Sequence, residues 1–267
     1  MQVRFRLSPR AGALPVAVPG LAAATVDSGR RMIIGNGMLA RAFSPYSRRD
    51  DVIIFASGVS NSREVSDENF DRETRLVQET AGRWPDLNFV YFSTCSILDP
   101  ELNHTPYVRH KIAIEKRVGQ QKHFHIFRLP LVIGKSENPN TLTNYFHHRL
   151  RRKQPLVVWE DAERNLIDVE DVYKIASLII DGGLLKNRIA NIAATTNIRV
   201  VDIVKLMAGI TGEKPISKIE KGHQKSRYSI DVAPILPLIE QAGIDFENNY
   251  HLSVLRKYYE PSSAAAN

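Results

Sequence analysis

The sequence predicts an α/β fold: a parallel sheet with a small C-terminal α+β lobe. Three observations predict it. Short apolar runs rich in β-branched and aromatic residues recur at Met32 to Ile34, Val52 to Ala56 and Phe89 to Phe92, as strands buried on both faces do. Stretches of helical period separate them, so strands and helices alternate as in a parallel sheet. A glycine turn, Gly35-Asn36-Gly37, stands directly between the first strand and the first helix.

Composition sets outer bounds. A chain of 267 residues with 43% hydrophobic content can build one sizeable core, or a core and a small lobe. No apolar run approaches the roughly 18 residues of a membrane span, so no membrane partner is expected. Cys95 is the only cysteine, which excludes an intramolecular disulfide and a cysteine-based metal site and suits a cytoplasmic protein. No metal ligand set is expected. The net charge is +7, but five arginines and one aspartate in residues 1–31 supply +4 of it. The remaining excess fits an anionic small substrate, and no nucleic-acid motif stands out.

Residues 1–31 are rich in Ala, Pro and Arg. A transit peptide and an upstream extension are both readings. The second is preferred, because the folded pattern begins at Met32, and this segment is expected to be poorly ordered. Met32 to Phe43 then reads strand, turn, helix. In Gly35-x-Gly37-x-x-Ala40 the first glycine permits a tight turn, the second lets the backbone approach a pyrophosphate, and the alanine lets helix pack on strand. This dinucleotide pattern makes the expected sheet Rossmann-like. A second strand ending in an acid should follow about 20 residues on. Instead Ser44-Pro45 and Arg48-Arg49-Asp50-Asp51 lead straight into Val52, so one βα unit is missing.

The stretch from Asn88 to Lys116 carries the chemistry. Phe89 to Phe92 ends in Ser93-Thr94, a strand delivering hydroxyls to a site. Thr105 and Pro106 open a helix as N-cap and first residue. Tyr107 and Lys111 then share one helical face. Tyr-x-x-x-Lys alone recurs by chance; the order strand, Ser-Thr, loop, Pro-Tyr-x-x-x-Lys is what gives it weight. Lys111 would lower the Tyr107 pKa and Thr94 would hold the reacting oxygen, the equipment that hydride transfer to or from a nicotinamide needs. Cys95 as a nucleophile lacks a partner nearby in sequence.

In this order of parts, Met32 to about Tyr259 resembles the extended short-chain dehydrogenase/reductase family of nucleotide-sugar epimerases, dehydratases and ketoreductases. Phe55-Ala56-Ser57-Gly58 is similar to the family's loop against the cofactor. Asn69 followed by Leu76 is similar to its Asn-x-x-Gly-Thr-x-x-Leu helix without the Gly-Thr. Ser93-Thr94 and Pro106-Tyr107-x-x-x-Lys111 match its active-site motifs. Phe127 to Gly134 is similar to its Arg-x-x-Asn-Val-Tyr-Gly strand and loop, with Leu131 where an asparagine is common. Pro155 to Trp159 resembles its base-contacting strand, and Glu163-Arg164-Asn-Leu-Ile-Asp-Val-Glu-Asp-Val172 its Arg-Asp-Phe-Ile-His-Val-Asp-Asp-Val stretch.

The resemblance implies NAD or NADP held by Gly35, Asn36, Gly37, Met38, Leu39, Ala56, Ser57, Gly58, Tyr107, Lys111 and Pro130. It implies Thr94, Tyr107 and Lys111 as catalytic residues. A nucleotide-sugar substrate would meet Arg164, whose guanidinium fork suits a diphosphate, with Leu142 and Trp159. Arg48 or Arg49 in the shortened connection would face a 2′-phosphate and favour NADP. The implied domains are a cofactor domain over 32–135 with later segments, a substrate lobe largely over 136–260, and a frayed tail over 261–267. A homodimer is expected by analogy. Cys95-Ser96 replace the Asp-Glu pair of the family's dehydratases, and the shortened adenosine site suits an epimerase poorly, so reduction of a keto-sugar is expected. Nucleotide-sugar epimerisation, or a non-catalytic nucleotide-binding sensor, are the alternatives.

Overall fold

The computed structural model describes residues 32–136, 138–139, 141–220 and 228–261. The expected N-terminal extension and the tail past Pro261 lie outside the described residues. In chain order, β1 (Ile33–Ile34) leads through the glycine turn into α1 (Met38–Ala42), and a 3-10 turn (Ser44–Arg48) passes directly to β2 (Val52–Phe55). Helix α2 (Asp67–Arg83), β3 (Asn88–Thr94), α3 (Pro106–Val118) and β4 (Phe124–Leu129) follow. Next come β5 (Leu131–Ile133), α4 (Leu142–Arg151), β6 (Leu156–Trp159), β7 (Glu163–Arg164), β8 (Leu166–Asp168) and α5 (Val169–Asp181). The chain closes with β9 (Arg188–Asn191), β10 (Ile198–Arg199), α6 (Val200–Thr211), β11 (Ser217–Glu220), α7 (Leu236–Gln241) and α8 (Tyr250–Tyr259).

Strands β1, β2, β3, β4 and β9 lie side by side in that order, all parallel. In a doubly wound sheet of order 3-2-1-4-5-6, two strands lie outside the first. Here β1 is outermost, so among the described residues both of those positions are empty. The shortening expected between Ala42 and Val52 therefore takes the whole outer side of the switch point, where a dinucleotide's adenosine half would rest.

Strand β3 shows why the sheet is buried on both faces. Phe89 and Tyr91 pack with Phe55, Val77, Ile114 and Ile126, beneath α2 and α3. Val90 and Phe92 point the other way and join Phe43, Ile54 and Phe127. That alternation is the two-residue period of a pleated strand. The second cluster continues without a break into Phe146, Leu166, Ile203 and Val254, so the C-terminal elements share the sheet's core.

Those elements form three two-stranded pairs: β5 with β8 and β6 with β11 in parallel, β7 with β10 antiparallel. Asp168 fixes them to the last helix. Its carboxylate caps α5 by accepting from Glu170 N (2.9 Å) and also accepts from Lys257 Nζ (2.8 Å) and Tyr258 OH (2.7 Å). Tyr250 OH receives the Asp168 N–H and donates to Asp171. The acidic run Asp168 to Asp171 thereby holds α8 to the start of α5. Among the described residues no helix is long and apolar enough to cross a membrane.

Candidate active site

Two glycines bring the loops after β1 and β2 together and against α3. Gly35 has φ +125°, and a Cβ there would collide with the Ala56 carbonyl oxygen, so only glycine lets the first turn press against the loop after β2. A Cβ on Gly37 would meet nothing within 4 Å, which leaves the start of α1 open to a ligand. At Gly58 a Cβ would lie 2.7 Å from Lys111 Nζ and 2.8 Å from Glu73 Oε1, so the loop backbone rests on the lysine's ammonium. Gly58→Ala is expected to displace that ammonium, lowering both the unfolding temperature and the affinity for NAD(P)H. Calorimetry and fluorescence titration check it; wild-type values for both would remove the contact from the site.

Helix α3 begins as its sequence dictates: Thr105 Oγ1 accepts from Val108 N (3.3 Å) and Pro106 takes the first helical position. Tyr107 is 6% exposed and packs with Val59, Phe70 and Val108. Lys111 Nζ lies 5.9 Å from the centre of the Tyr107 ring. It donates to Glu73 Oε1 (3.0 Å) and Tyr91 OH (3.0 Å), which leaves one of its three N–H bonds. Thr94 accepts from Ser96 N (3.1 Å) through its Oγ1, and its own O–H remains to donate. Beside it, Ser93 Oγ is buried with no hydrogen-bond partner among the described residues, an orphan that a ligand atom at the strand end would satisfy. Arg128, on β4, grips Glu115 of α3 with two bonds (2.9 and 2.6 Å) and clamps the helix to the sheet.

The remaining cofactor candidates fall around this centre. Asn36 gives its carbonyl to Arg41 Nη1 (3.0 Å), and Arg41 Nη2 reaches the Lys135 carbonyl (2.9 Å). Met38 packs its sulfur against Gly134, and Leu39 lies on the main core. Ser57 accepts from Arg72 at its hydroxyl (3.4 Å) and carbonyl (3.1 Å). Pro130 is half-buried between β4 and β5. Of the two arginines expected near a 2′-phosphate, Arg49 is committed elsewhere: it binds Asp51 with two bonds of 2.7 Å and Asp181 at 2.8 Å. Arg48 is exposed. The arginines bonded to the two loops are Arg41 and Arg72, neither of which the sequence pattern singles out.

Arg164 sits on β7, opposite Ile198 of β10, and donates to the Glu163 carbonyl (2.6 Å). The next residue, Asn165, lines an open cavity of about 400 Å³ with Thr195, Asn197 and Tyr228. The Tyr228 phenol is pushed up to about 12 by burial, with the Cys95 and Asp99 charges adding to it and Arg164 opposing. The Asn165 carbonyl accepts from Leu131 N (3.1 Å), so the cavity's wall joins the chain just past β4. Leu142 and Trp159 pack against the main core, and neither lines this cavity.

Cys95 is fully buried, and its Sγ–H donates to the Arg128 carbonyl (3.4 Å). Burial pushes its thiol up to about 12; Arg128 opposes the shift and Glu115 adds to it. A thiol so held is no nucleophile. Native protein is expected to leave Ellman's reagent uncoloured and to release one equivalent only on unfolding. Fast labelling of the native protein would contradict this. Among the described residues no group of three or more His, Cys, Asp or Glu side chains converges as a metal site.

Comparison with known proteins supports the fold. The family described as NAD dependent epimerase/dehydratase matches residues 34–193. Among solved structures, UDP-glucuronic acid 4-epimerase from Bacillus cereus, in complex with UDP-glucuronic acid and NAD, superposes with TM-score 0.62 at 15% identity, over 78% of this chain and 75% of that one. A protein designated RMD from Pseudomonas aeruginosa, complexed with NADPH, gives 0.60 at 18% identity, over 80% and 84%. UDP-glucose 4-epimerase from Thermus thermophilus, in complex with NAD, gives 0.58 at 20%, over 82% and 78%. No curated protein sequence matches.

Proposed function

Because the chain belongs to the NAD dependent epimerase/dehydratase family, we propose that it is an NAD(P)-dependent oxidoreductase that reduces a keto group on a nucleotide-linked sugar. The observation that carries this reading is the contiguity of glycine turn, loop and helix. Gly35 presses on Ala56, Gly58 rests on Lys111, and Tyr107 stands one turn from that lysine. The fit of a dinucleotide is supported by the open space at Gly37 and by the orphaned Ser93 hydroxyl. Gly35 to Leu39 and Ala56 to Gly58 would hold it, with Arg41 and Arg72 beside its pyrophosphate and Arg48 available to a 2′-phosphate. A bound nicotinamide supplies the hydride. Tyr107 gives its proton to the carbonyl oxygen, Thr94 holds that oxygen through its O–H, and Lys111 turns its remaining N–H to a ribose hydroxyl.

Arg164 is proposed to bind the substrate's diphosphate at the mouth of the neighbouring cavity, with Leu142 and Trp159 on the nucleotide base. Reduction is preferred to dehydration because buried Cys95 opens a 3-10 turn directly after Thr94 and Ser96 follows it, so no carboxylate stands in the two positions after Thr94 for elimination. The similar structures carrying NADPH and UDP-glucuronic acid are compatible with this substrate class. One observation favours a second reading, a nucleotide-binding sensor: the crevice has no strand on its adenosine side among the described residues. Titration with NADH and NADPH by fluorescence, followed by a panel of 4-keto nucleotide sugars, separates the two. The enzyme oxidises one of the cofactors in a sugar-dependent way, with NADPH bound more tightly. A sensor binds and does not turn over, and equal affinity for both cofactors would refute the assignment of Arg48.

A further inference from the structure

Glu73 has no task in the chemistry above, yet it is the carboxylate in contact with Lys111. It lies on α2 in the place of the threonine of the Asn-x-x-Gly-Thr-x-x-Leu pattern, and it is 0% exposed. Four donors surround it. Tyr91 OH (2.7 Å) and Lys111 Nζ (3.0 Å) meet Oε1; Val59 N (2.7 Å) and His110 Nε2 (2.9 Å) meet Oε2. An ionised carboxylate only accepts, so His110 carries its hydrogen on Nε2. A carboxylate held by four donors is held as the anion.

The titratable groups facing this centre come from four elements. Helix α2 gives Glu73, β3 gives Tyr91, and α3 gives Tyr107, His110, Lys111 and Glu115. Strand β4 gives Arg128, already closed on Glu115 at 2.6 Å. The charge of Lys111 is thus answered by Glu73 (3.0 Å) and not by Glu115.

We infer that Glu73 is a positioning residue that sets the charge felt by Tyr107 before the reaction: paired with Lys111, it cancels the cation beside Tyr107 and leaves that phenol a proton donor. The inference rests on the reading of Tyr107 as the site's acid. An unpaired ammonium about 6 Å from a phenol favours the phenolate, the base that alcohol oxidation needs. A compensated pair acts as a dipole, whose field falls off faster. In the reduction so equipped, Tyr107 would give a proton to the carbonyl oxygen and be left as the phenolate, while a bound reduced nicotinamide would supply the hydride to the carbonyl carbon. The C=O π bond breaks, C–H and O–H bonds form, and the nicotinamide is oxidised.

The test reads tyrosine ionisation directly, so it does not depend on turnover. Alkaline titration is followed by tyrosinate absorbance, and each protein is paired with its Tyr107→Phe counterpart so that the difference isolates Tyr107. Glu73→Gln is expected to lower the Tyr107 midpoint by about one pH unit, while Glu73→Asp, which keeps the charge, stays near wild type. Should Glu73→Gln not fold, the neutral pair Glu73→Gln/Lys111→Met remains informative, and its Tyr107 should titrate within about half a unit of wild type. An unmoved midpoint in Glu73→Gln overturns the inference, as does a rise of a unit or more in the double variant. Absent turnover with every keto-sugar would count against the proposed function alone.

Discussion

Tyr107→Phe is expected to lower kcat for the proposed NAD(P)H oxidation at least about a hundredfold, the lower end of what a positioned general acid contributes. The change removes one hydroxyl and keeps the ring. That ring is 6% exposed among Val59, Phe70 and Val108, so its packing survives and the unfolding temperature should move little. The loops proposed to hold the cofactor, Gly35 to Leu39 and Ala56 to Gly58, are left as they were, so cofactor affinity should hold as well. The expected signature is a fall in kcat with nearly unchanged cofactor binding, the mark of an interaction made in the transition state. Stopped-flow turnover beside equilibrium titration measures both. Turnover that survives the substitution would hand the proton to another group and dissolve the assignment of Tyr107, Lys111 and Thr94 as one unit.

The strand and helix of the candidate site are legible in the sequence because local rules specify them. The run from Phe89 to Thr94 has the apolar continuity of a strand covered on both faces, and Thr105-Pro106 write the start of α3 in capping chemistry. The glycine turn is legible for the same reason, since Gly35 adopts a backbone conformation that other residues avoid. What could not be read depends on partners distant in sequence. Glu73 looks like an ordinary charged residue on an amphipathic helix, and only the approach of α3 and β3 makes it a buried anion. Arg49 and Asp181 are 132 positions apart, and nothing local says that they meet. Asp168 appears in the sequence as part of a motif, while its use as the anchor for Lys257 and Tyr258 follows from where α8 docks. The extent of the sheet's shortening also escapes a linear reading, because strand order is a property of the whole topology.

Lys111→Met is expected to destabilise the protein by about 3–5 kcal/mol at neutral pH, because it leaves Glu73 as a buried anion without its counter-charge. In a chain of this size that is on the order of 10 °C in unfolding temperature. The loss should also depend on pH with a sign opposite to the wild type's. Burial raises the Glu73 carboxyl, but Lys111 foremost, with His110, Tyr91 and the Val59 N–H, outweighs it and holds the group at about 2. In the wild type this folded pKa lies below the ordinary value of 4.5. The stabilisation is therefore complete above pH 4.5 and is lost as pH falls towards 2. Without Lys111, burial dominates and the folded pKa rises above the ordinary value, so the variant is penalised while Glu73 is charged and relieved once it takes a proton. The gap between wild type and Lys111→Met should accordingly be widest near pH 7 and shrink as the solution is acidified towards pH 4. Urea unfolding across that range measures it. A gap that stays constant with pH would show that the lost stability comes from packing of the lysine stem rather than from an uncompensated Glu73, and would detach Glu73 from the electrostatics of the site.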